Sequence, residues 1–210
     1  MLFDFATIAS ADRYRLLASS VLPRPIAWVV SQDATQRLNA APFSFFNVFA
    51  SDPATIILGV GARADGTAKD TTRNIRDTGE FVVNLVGHDN LRAMTVTAID
   101  FEPGVDELVK AGLSTLPSVK VGPPRIAESP AALECRRSMM IDLKAGRTLI
   151  IGEVLAMHVR DDCVLDAARC RIDSPRLDLM GRMHGEGWYV RTTALEEMPR
   201  LSRDQWGEGK

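Results

Sequence analysis

Arg24-Pro-Ile-Ala-Trp-Val-Val-Ser31 is the stretch that decides the fold class. Its residues 26–31 are rich in the β-branched and aromatic side chains that strands favour. Pro23 and Pro25 keep the preceding chain extended, because a residue that precedes proline is pushed out of the helical region. The stretch therefore predicts a β-strand early in the chain.

More strand-like runs than helical ones follow along the sequence. We expect strands at residues 38–45, 55–60, 80–86, 133–143, 147–159 and 188–192, with Lys144-Ala-Gly-Arg147 as a hairpin turn. Short helices are expected at 71–77, ending at Gly79, at 89–99, and at 105–111, ending at Gly112. This balance predicts a mainly β barrel or sandwich with a few helices, and it argues against the βαβ alternation of a doubly wound sheet.

The composition is that of an ordinary globular domain. The chain has 210 residues and a net charge of −2, so nucleic acid is not expected as its main partner. Its apolar runs are far shorter than the ~20 residues of a membrane-spanning helix, and no secretory signal pattern opens it. Three cysteines without CxxC or Cys/His spacing predict reduced thiols, a cytoplasmic location and no metal centre.

The helix start at Lys69-Asp-Thr-Thr-Arg-Asn-Ile75 offers a place for an anion. The first N–H groups of a helix lack internal partners and carry partial positive charge, so a phosphate there gains hydrogen bonds. Lys69 adds a cation, Thr71 a hydroxyl, and Arg63 reaches in from the preceding loop. Ordinary capping by Asp70 or Thr71, with a solvated lysine, accounts for the same residues, and both interpretations stay open.

A dinucleotide-binding fingerprint is the alternative phosphate motif in this region. Gly59-Val-Gly-Ala-Arg-Ala64 matches G-x-G-x-x-A and follows an expected strand. The fingerprint requires a helix to start within it, and Asp65-Gly66 interrupts the chain instead. We therefore do not expect a Rossmann-type site.

The stretch Asn39-Ala-Ala-Pro-Phe-Ser-Phe-Phe-Asn-Val-Phe49 holds four of the eight phenylalanines within seven positions. Its alanines leave the backbone accessible to a flat ligand, while Ser44 and Asn47 supply side-chain hydrogen bonds. An apolar wall with a few placed polar groups is typical of cofactor pockets. A core strand with a turn at Asp52-Pro53 explains the pattern equally well, so the residues alone leave the choice open.

Gly181-Arg-Met-His-Gly-Glu-Gly187 is a glycine-rich loop that carries His184. A histidine in such a loop is either exposed to solvent or close to a bound ligand. His88 and His158 are weaker candidates, because one lies at a helix start and the other within a strand run. No two histidines have metal-ligand spacing, so no metal site is expected.

Five ordered segments resemble the flavin reductase-like, FMN-binding split-barrel family. They are Arg24-Pro-Ile-Ala-Trp-Val-Val-Ser31, Asn39-Ala-Ala-Pro-Phe-Ser-Phe-Phe-Asn47, Asp52-Pro53, Lys69-Asp-Thr-Thr-Arg-Asn-Ile75 and Gly79-Glu-Phe-Val-Val-Asn84. The similarity is strongest over residues 20–90 and extends more loosely to Tyr189. It implies a Greek-key split β-barrel over residues 1–192, a homodimer with FMN near the dimer interface, and a C-terminal extension over residues 193–210.

The same resemblance implies a site and a reaction. Residues 39–47 would face the flavin ring and ribityl chain, the helix start at Lys69 would hold the FMN phosphate, and Arg24 would approach either group. The implied cofactor-binding residues are Asn39, Ala40, Ala41, Pro42, Ser44, Phe45, Phe46, Asn47, Arg63, Lys69, Asp70, Thr71 and Asn74, with His184 as the catalytic candidate.

The implied activity is that of an NAD(P)H:flavin oxidoreductase, which passes a hydride from the nicotinamide to FMN. A non-enzymatic FMN-binding electron carrier or flavin store is the alternative from another class. A purely structural barrel with an empty site is a third interpretation, and it would purify colourless.

Overall fold

A computed structural model describes residues 1–102, 104–203 and 206. Its strands are β1 (Arg24–Pro25), β2 (Ala27–Gln32), β3 (Leu38–Phe43), β4 (Phe46–Ser51), β5 (Ala54–Val60), β6 (Glu80–Leu85), β7 (Thr115–Leu116), β8 (Arg125–Ile126), β9 (Ala131–Asp142), β10 (Thr148–Val159), β11 (Val164–Asp166), β12 (Arg171–Ile172), β13 (Met180–Arg182) and β14 (Tyr189–Arg191). Its α-helices are α1 (Ser10–Ser20), α2 (Asp70–Thr78), α3 (Leu91–Val96), α4 (Glu107–Ala111) and α5 (Ser174–Leu177), with short 3-10 turns at His88–Asn90 and Asp161–Cys163.

A seven-stranded antiparallel sheet in the order β3-β2-β6-β9-β10-β5-β4 forms the centre of the protein. Its two edge strands, β3 and β4, are consecutive in the chain and only Ser44 and Phe45 separate them. The sheet must therefore curl until its edges meet, which makes it a barrel. The Gly59 N–H donates to the Phe45 carbonyl at 2.7 Å, which continues the β4–β5 pairing as far as the corner between the two edge strands. The strand order and the crossover from β5 to β6 through α2 are those of a Greek-key split barrel.

Strand β2 is buried on both faces, which explains its almost continuous apolar sequence. Ala27 and Val29 point into the barrel core, whereas Trp28 and Val30 point into a second cluster that includes residues of α3 and α4. The Trp28 indole N–H donates to the Thr97 hydroxyl at 2.8 Å, so its one polar atom is satisfied inside this cluster. The helices thus cover the outer side of β2 and build up the rim beside β3.

Most of the expected elements are confirmed. The strands lie within a few residues of their expected bounds, residues 144–147 form the turn between β9 and β10, and α2 ends at Gly79, which adopts a left-handed φ of 76°. The mainly β fold is confirmed as well. Gly59–Ala64 does not begin a helix; it leaves β5 and enters a turn closed by a bridge between Ala62 and Ala68.

Several elements were not expected from the sequence. They are helix α1, the short helix α5, the short strands β1, β7, β8, β11, β12 and β13, and β4 as a strand separate from β3. Only Ala18 of α1 is buried, and only Phe46 of β4. The expected strand 38–45 ends at Phe43, where the chain turns the corner into β4. None of the helices in the described ranges is both long and apolar enough to cross a membrane.

The long helix expected at residues 89–99 is shorter in the structure. It divides into a 3-10 turn and α3, which ends at Val96. The helix expected at residues 105–111 begins at Glu107, because the Asp106 carboxylate caps it by accepting from the backbone N–H groups of Leu108 and Val109. The part of the proposed C-terminal extension at residues 204, 205 and 207–210 lies outside the described residues.

Candidate functional site

A continuous groove runs along the open edge of β3 and around the corner to the loop after β13. It consists of overlapping cavities that share Pro42 and Phe43 at the centre, and Tyr14 of α1 lines two of them. The cavity between the corner and the β9–β10 hairpin has a volume of about 450 Å³. This volume falls within the range of small-molecule and cofactor sites.

One end of the groove is the start of α2. Lys69 occupies the N-cap position, and no side chain among the described residues caps the helix there. Lys69 itself lines the groove from two sides and forms no ion pair within the described part of the chain. The Thr71 hydroxyl is buried beside it and accepts a hydrogen bond from the Asn39 side-chain amide at 3.0 Å. The first N–H groups of α2 are thus left to a ligand, as an anion site requires.

The same end of the groove also holds acidic side chains. Asp70 pairs with Arg63 and with Arg73, and Arg63 lies 3.8 Å from Asp100. Arg63 Nε is a buried nitrogen without a hydrogen-bond partner among the described residues. Glu107 completes the acidic group, so two groove cations, Lys69 and Arg63, face three carboxylates.

Glu107 is held over the edge of β3. Its carboxylate accepts a hydrogen bond from the Ala40 backbone N–H at 3.0 Å. Burial raises the pKa of Glu107, the Ala40 hydrogen bond opposes this effect, and the Asp70 carboxylate adds to it. The net effect is a raised pKa, so Glu107 is neutralised more easily than an ordinary glutamate.

The phenylalanines of residues 43–49 separate into different environments. Phe43 lines the groove, and Phe45 stacks on Tyr14 with ring centroids 6.0 Å apart. Phe46 packs inside the barrel core. Asn47 is exposed, and its side-chain oxygen accepts from the neighbouring Val48 N–H at 2.8 Å. The two predicted site residues Phe46 and Asn47 therefore lie away from the groove.

Other predicted residues have structural partners. The Asn74 amide donates to the Ser31 hydroxyl at 3.2 Å on the buried side of α2. Arg24 is buried and donates to the Ser44 hydroxyl at 3.3 Å, to the Ala18 carbonyl at 2.5 Å and to the Met183 carbonyl at 3.1 Å. Arg24 therefore ties α1, the barrel corner and the loop after β13 together, with its guanidinium already used.

His184 lies at the far end of the groove. It is exposed, and its ring stacks on Trp188 with centroids 6.0 Å apart and an angle of 15° between the planes. A left-handed φ of 62° at Gly185 and 81° at Gly187 lets the loop turn tightly there. The cavity beside His184 is also lined by Arg15, Arg147 and Arg182, together with Tyr14 and Glu186.

The other histidine of interest, His158, belongs to a structural pair on β10. Its Nε2 lies 2.6 Å from the carboxylate of Glu134, a fully buried residue that also accepts from the N–H groups of Val119 and Lys120. Burial by itself would raise the pKa of Glu134, but these hydrogen bonds more than offset it and the pKa is lowered. Among the described residues, no cluster of three or more His, Cys, Asp or Glu side chains has the form of a metal site.

Several groove residues were not expected from the sequence, among them Tyr14, Glu107, Arg147 and Arg182. Arg182 stands in the glycine-rich loop that drew attention to His184, so that loop was a usable signal. The other three come from separate elements that only the fold brings together, namely α1, α4 and the β9–β10 hairpin.

The split barrel, its apolar groove and the free helix start together define a cofactor-binding barrel. A sequence profile described as the flavin reductase like domain matches residues 18–175, so the chain belongs to the flavin reductase-like family. The resemblance noted from the sequence is thereby confirmed. The protein is a flavin-related oxidoreductase of this family.

Relatives cover nearly the whole chain. An uncharacterized protein of Deinococcus radiodurans is 42% identical over 211 residues, which is 98% of this chain and 92% of the relative. The crystal structure of Pseudomonas fluorescens 2-nitrobenzoate 2-nitroreductase NbaA matches with a TM-score of 0.88 at 30% identity and covers 97% of this chain and 98% of its own. The nitrilotriacetate monooxygenase component B of Bacillus cereus matches with a TM-score of 0.86 at 30% identity, covering 96% and 98%.

Proposed function

We propose that this protein binds FMN in the groove and passes a hydride to it from NAD(P)H. The observation that carries the proposal is the start of α2, where no described side chain caps the helix and the Lys69 amine has no ion pair with a described residue. This helix start lies at one end of a groove whose centre, at Pro42 and Phe43, is apolar. The buried Arg63 Nε, which has no hydrogen-bond partner in the described part of the chain, is a second sign that a polar group belongs there. FMN fits this donor set better than riboflavin, because only FMN carries a phosphate for it.

The proposed binding mode uses residues from three parts of the groove. The α2 N–H groups, Lys69 and Thr71 hold the phosphate, while Pro42 and Phe43 provide the apolar wall for the flavin ring. Ala41 is a small, half-buried residue that leaves room for a flat ligand to approach the β3 backbone. Asn39, which donates to the Thr71 hydroxyl, orients that hydroxyl.

Bound flavin would supply the redox chemistry, namely acceptance of a hydride from the reduced nicotinamide. The residues of this chain then have two tasks. The apolar wall and Tyr14 keep water away from the flavin face, and the loop with His184 positions the nicotinamide above it. No side-chain acid is required for the hydride transfer itself.

We also propose a homodimer whose subunits share the site. The outer face of the sheet is apolar, since the strand register places Ile57, Ile151 and Met139 in one row and Leu149 and Ile141 in the next. This face adjoins the groove, because Leu149 and Phe45 line the same cavity. A second copy that covers the face would close the groove as well. The cytosol, where reduced nicotinamides are generated, is the proposed location.

An absorption spectrum followed by an anaerobic titration tests the proposed function. The purified protein is expected to show, or to acquire on addition of FMN, the visible absorbance of bound flavin. NADH or NADPH should then bleach it stoichiometrically. A protein that binds FMN but resists bleaching by both nicotinamides would be a carrier or store, and a protein that binds no FMN would contradict the proposal entirely.

A further inference from the structure

The cavity beside His184 is lined by more positively than negatively charged side chains. Arg15, Arg147 and Arg182 line it, and Glu186 is the acidic residue among its lining side chains. Arg15 pairs with Asp12 of its own helix, an exposed pair that competes weakly with a ligand. The guanidinium of Arg147, at the end of the β9–β10 hairpin, has no hydrogen bond or ion pair to any described residue.

Arg182 is the most firmly held of the three arginines. Its guanidinium lies 4.8 Å from the ring centre of Tyr189 and donates to the Gly185 carbonyl at 3.1 Å. Stacking on an aromatic ring and a hydrogen bond to the loop fix the plane of the guanidinium before any ligand arrives. A planar, preorganised fork of N–H donors is the arrangement that suits phosphate oxygens.

The two ends of the groove therefore differ in charge. At the α2 end, Lys69 and Arg63 face three carboxylates, whereas three arginines face one at the His184 end. The cavity beside His184 is continuous with the central part of the groove. Tyr14 lines both, and Arg147 and Arg182 each line the His184 cavity and one of the central cavities. A ligand whose reactive ring lies at the centre of the groove can thus place distant phosphates among the arginines.

We propose that Arg15, Arg147 and Arg182 form a binding site for the phosphate groups of the nicotinamide dinucleotide, separate from the flavin phosphate site at α2. This inference rests on the proposed function, since it gives that function's electron donor a place to bind. The nicotinamide dinucleotide enters past Tyr14. Its nicotinamide lies over the flavin ring that Pro42 and Phe43 hold, and its phosphates lie against the guanidinium groups. The site holds either the pyrophosphate or the 2′-phosphate of NADPH, which share the same chemistry.

The test measures binding of fragments that cannot react. ADP-ribose and 2′-phospho-ADP-ribose are titrated calorimetrically into the FMN-loaded protein, and FMN and riboflavin are titrated into the flavin-free protein. The main variant is Arg147→Ala, with Arg15→Ala as a second. Arg136→Ala is the matched control, because Arg136 is an exposed arginine on the same hairpin outside the cavity.

Arg147→Ala should weaken the fragments about 10-fold, the loss typical of one charge-assisted hydrogen bond, and leave FMN affinity within about 2-fold of the unaltered protein. Equal losses for both fragments would assign the site to the pyrophosphate, and a loss for 2′-phospho-ADP-ribose alone to the 2′-phosphate. Arg136→Ala should change neither fragment.

Two results would overturn the inference while the proposed function stands. One is that FMN binds and Arg147→Ala and Arg15→Ala leave both fragments unchanged. The other is that Arg147→Ala weakens FMN but not riboflavin, which would give the arginines to the flavin phosphate instead. Failure of FMN to bind the unaltered protein would reject the proposed function, and this inference with it.

Discussion

Replacing Lys69 by alanine is the most direct test of the proposed flavin phosphate site. Lys69 is half-buried at the N-cap of α2, lines two cavities of the groove and has no ion pair among the residues described. A hydrogen bond between its amine and a phosphate is charge-assisted, and losing one costs about 1.5–3 kcal/mol, or roughly 10- to 100-fold in affinity. Because Lys69 keeps partial access to water, we expect the lower end, about 10-fold.

The expected result is specific to the phosphate. Lys69→Ala should weaken FMN about 10-fold and leave riboflavin nearly unchanged in titrations followed by quenching of flavin fluorescence. The α2 N–H groups remain in the variant, so it should still prefer FMN to riboflavin. Lys110→Ala, which removes an exposed lysine from α4, is the control and should change neither ligand. Equal losses for FMN and riboflavin would refute the assignment of Lys69 to the phosphate.

Four further substitutions test other parts of the site and fold. Glu107→Gln keeps the acceptor for the Ala40 N–H but removes a carboxylate, so FMN should bind roughly 3- to 10-fold more tightly at neutral pH, the effect of one unit charge several ångströms away. Because the pKa of Glu107 is raised, its contribution to folding stability is present below its ordinary value of 4.5 and is lost as the pH rises through the raised pKa; FMN affinity should follow the same trend in the unaltered protein. His158→Gln should lower the free energy of unfolding by about 1–3 kcal/mol at neutral pH in chemical denaturation. Since the pKa of Glu134 is lowered, that pair stabilises the fold above pH 4.5 and the difference should shrink as the pH falls through the lowered pKa. His184→Ala should slow flavin reduction by NAD(P)H about 10- to 1000-fold in anaerobic stopped-flow experiments, with FMN affinity nearly unchanged. Ile141→Glu should give a monomer by light scattering and weaken FMN.

For each of these predictions, one outcome would contradict it. An FMN affinity with the same pH dependence in Glu107→Gln and the unaltered protein would remove Glu107 from the groove electrostatics. A constant stability difference for His158→Gln at every pH would separate His158 from Glu134. An unchanged reduction rate in His184→Ala would leave that histidine as a solvent-exposed loop residue. Leu165→Glu, at an exposed leucine on β11, is the control for Ile141→Glu, and a monomer in both would point to general destabilisation.

The barrel can be predicted well from the sequence, because side chains of its central strands are buried inside this chain and are therefore apolar. Strand β2 is apolar along nearly its whole length, and α2 ends at a glycine whose left-handed φ the backbone requires. Helix α1 and strand β4 escape prediction for the opposite reason. Each buries a single residue against its own chain, so their apolar side chains, such as Leu17 in α1 and Val48 and Phe49 in β4, do not follow a buried face.

Residues 43–46 show why the site itself is harder to predict than the fold. In one continuous strand, alternate side chains share a face, so Phe43 and Phe45 would line the same surface. The chain turns at Ser44 and Phe45, and this corner closes the barrel. Phe43 and Phe45 do line one cavity, but the turn also stacks Phe45 on Tyr14 and sends Phe46 into the core. The corner is imposed by closure of the sheet, a tertiary constraint that local spacing does not record.

Charge gives the second reason, because the number of cations in a segment does not tell which of them are free. The sequence marks Lys69 and Arg63 as cations near an anion, and the family resemblance adds Arg24 as a residue that approaches the flavin or its phosphate. In the fold, Arg24 donates to three carbonyls and a hydroxyl, and Arg63 pairs with Asp70. The Lys69 amine has no ion pair among the described residues. The Arg147 guanidinium, which no sequence motif indicated, has none there either. An unpaired cation in a groove can bind an added anion without first breaking a bond within the protein. Lys69 and Arg147 are therefore the two positions at which a substitution should change anion affinity most while changing stability least.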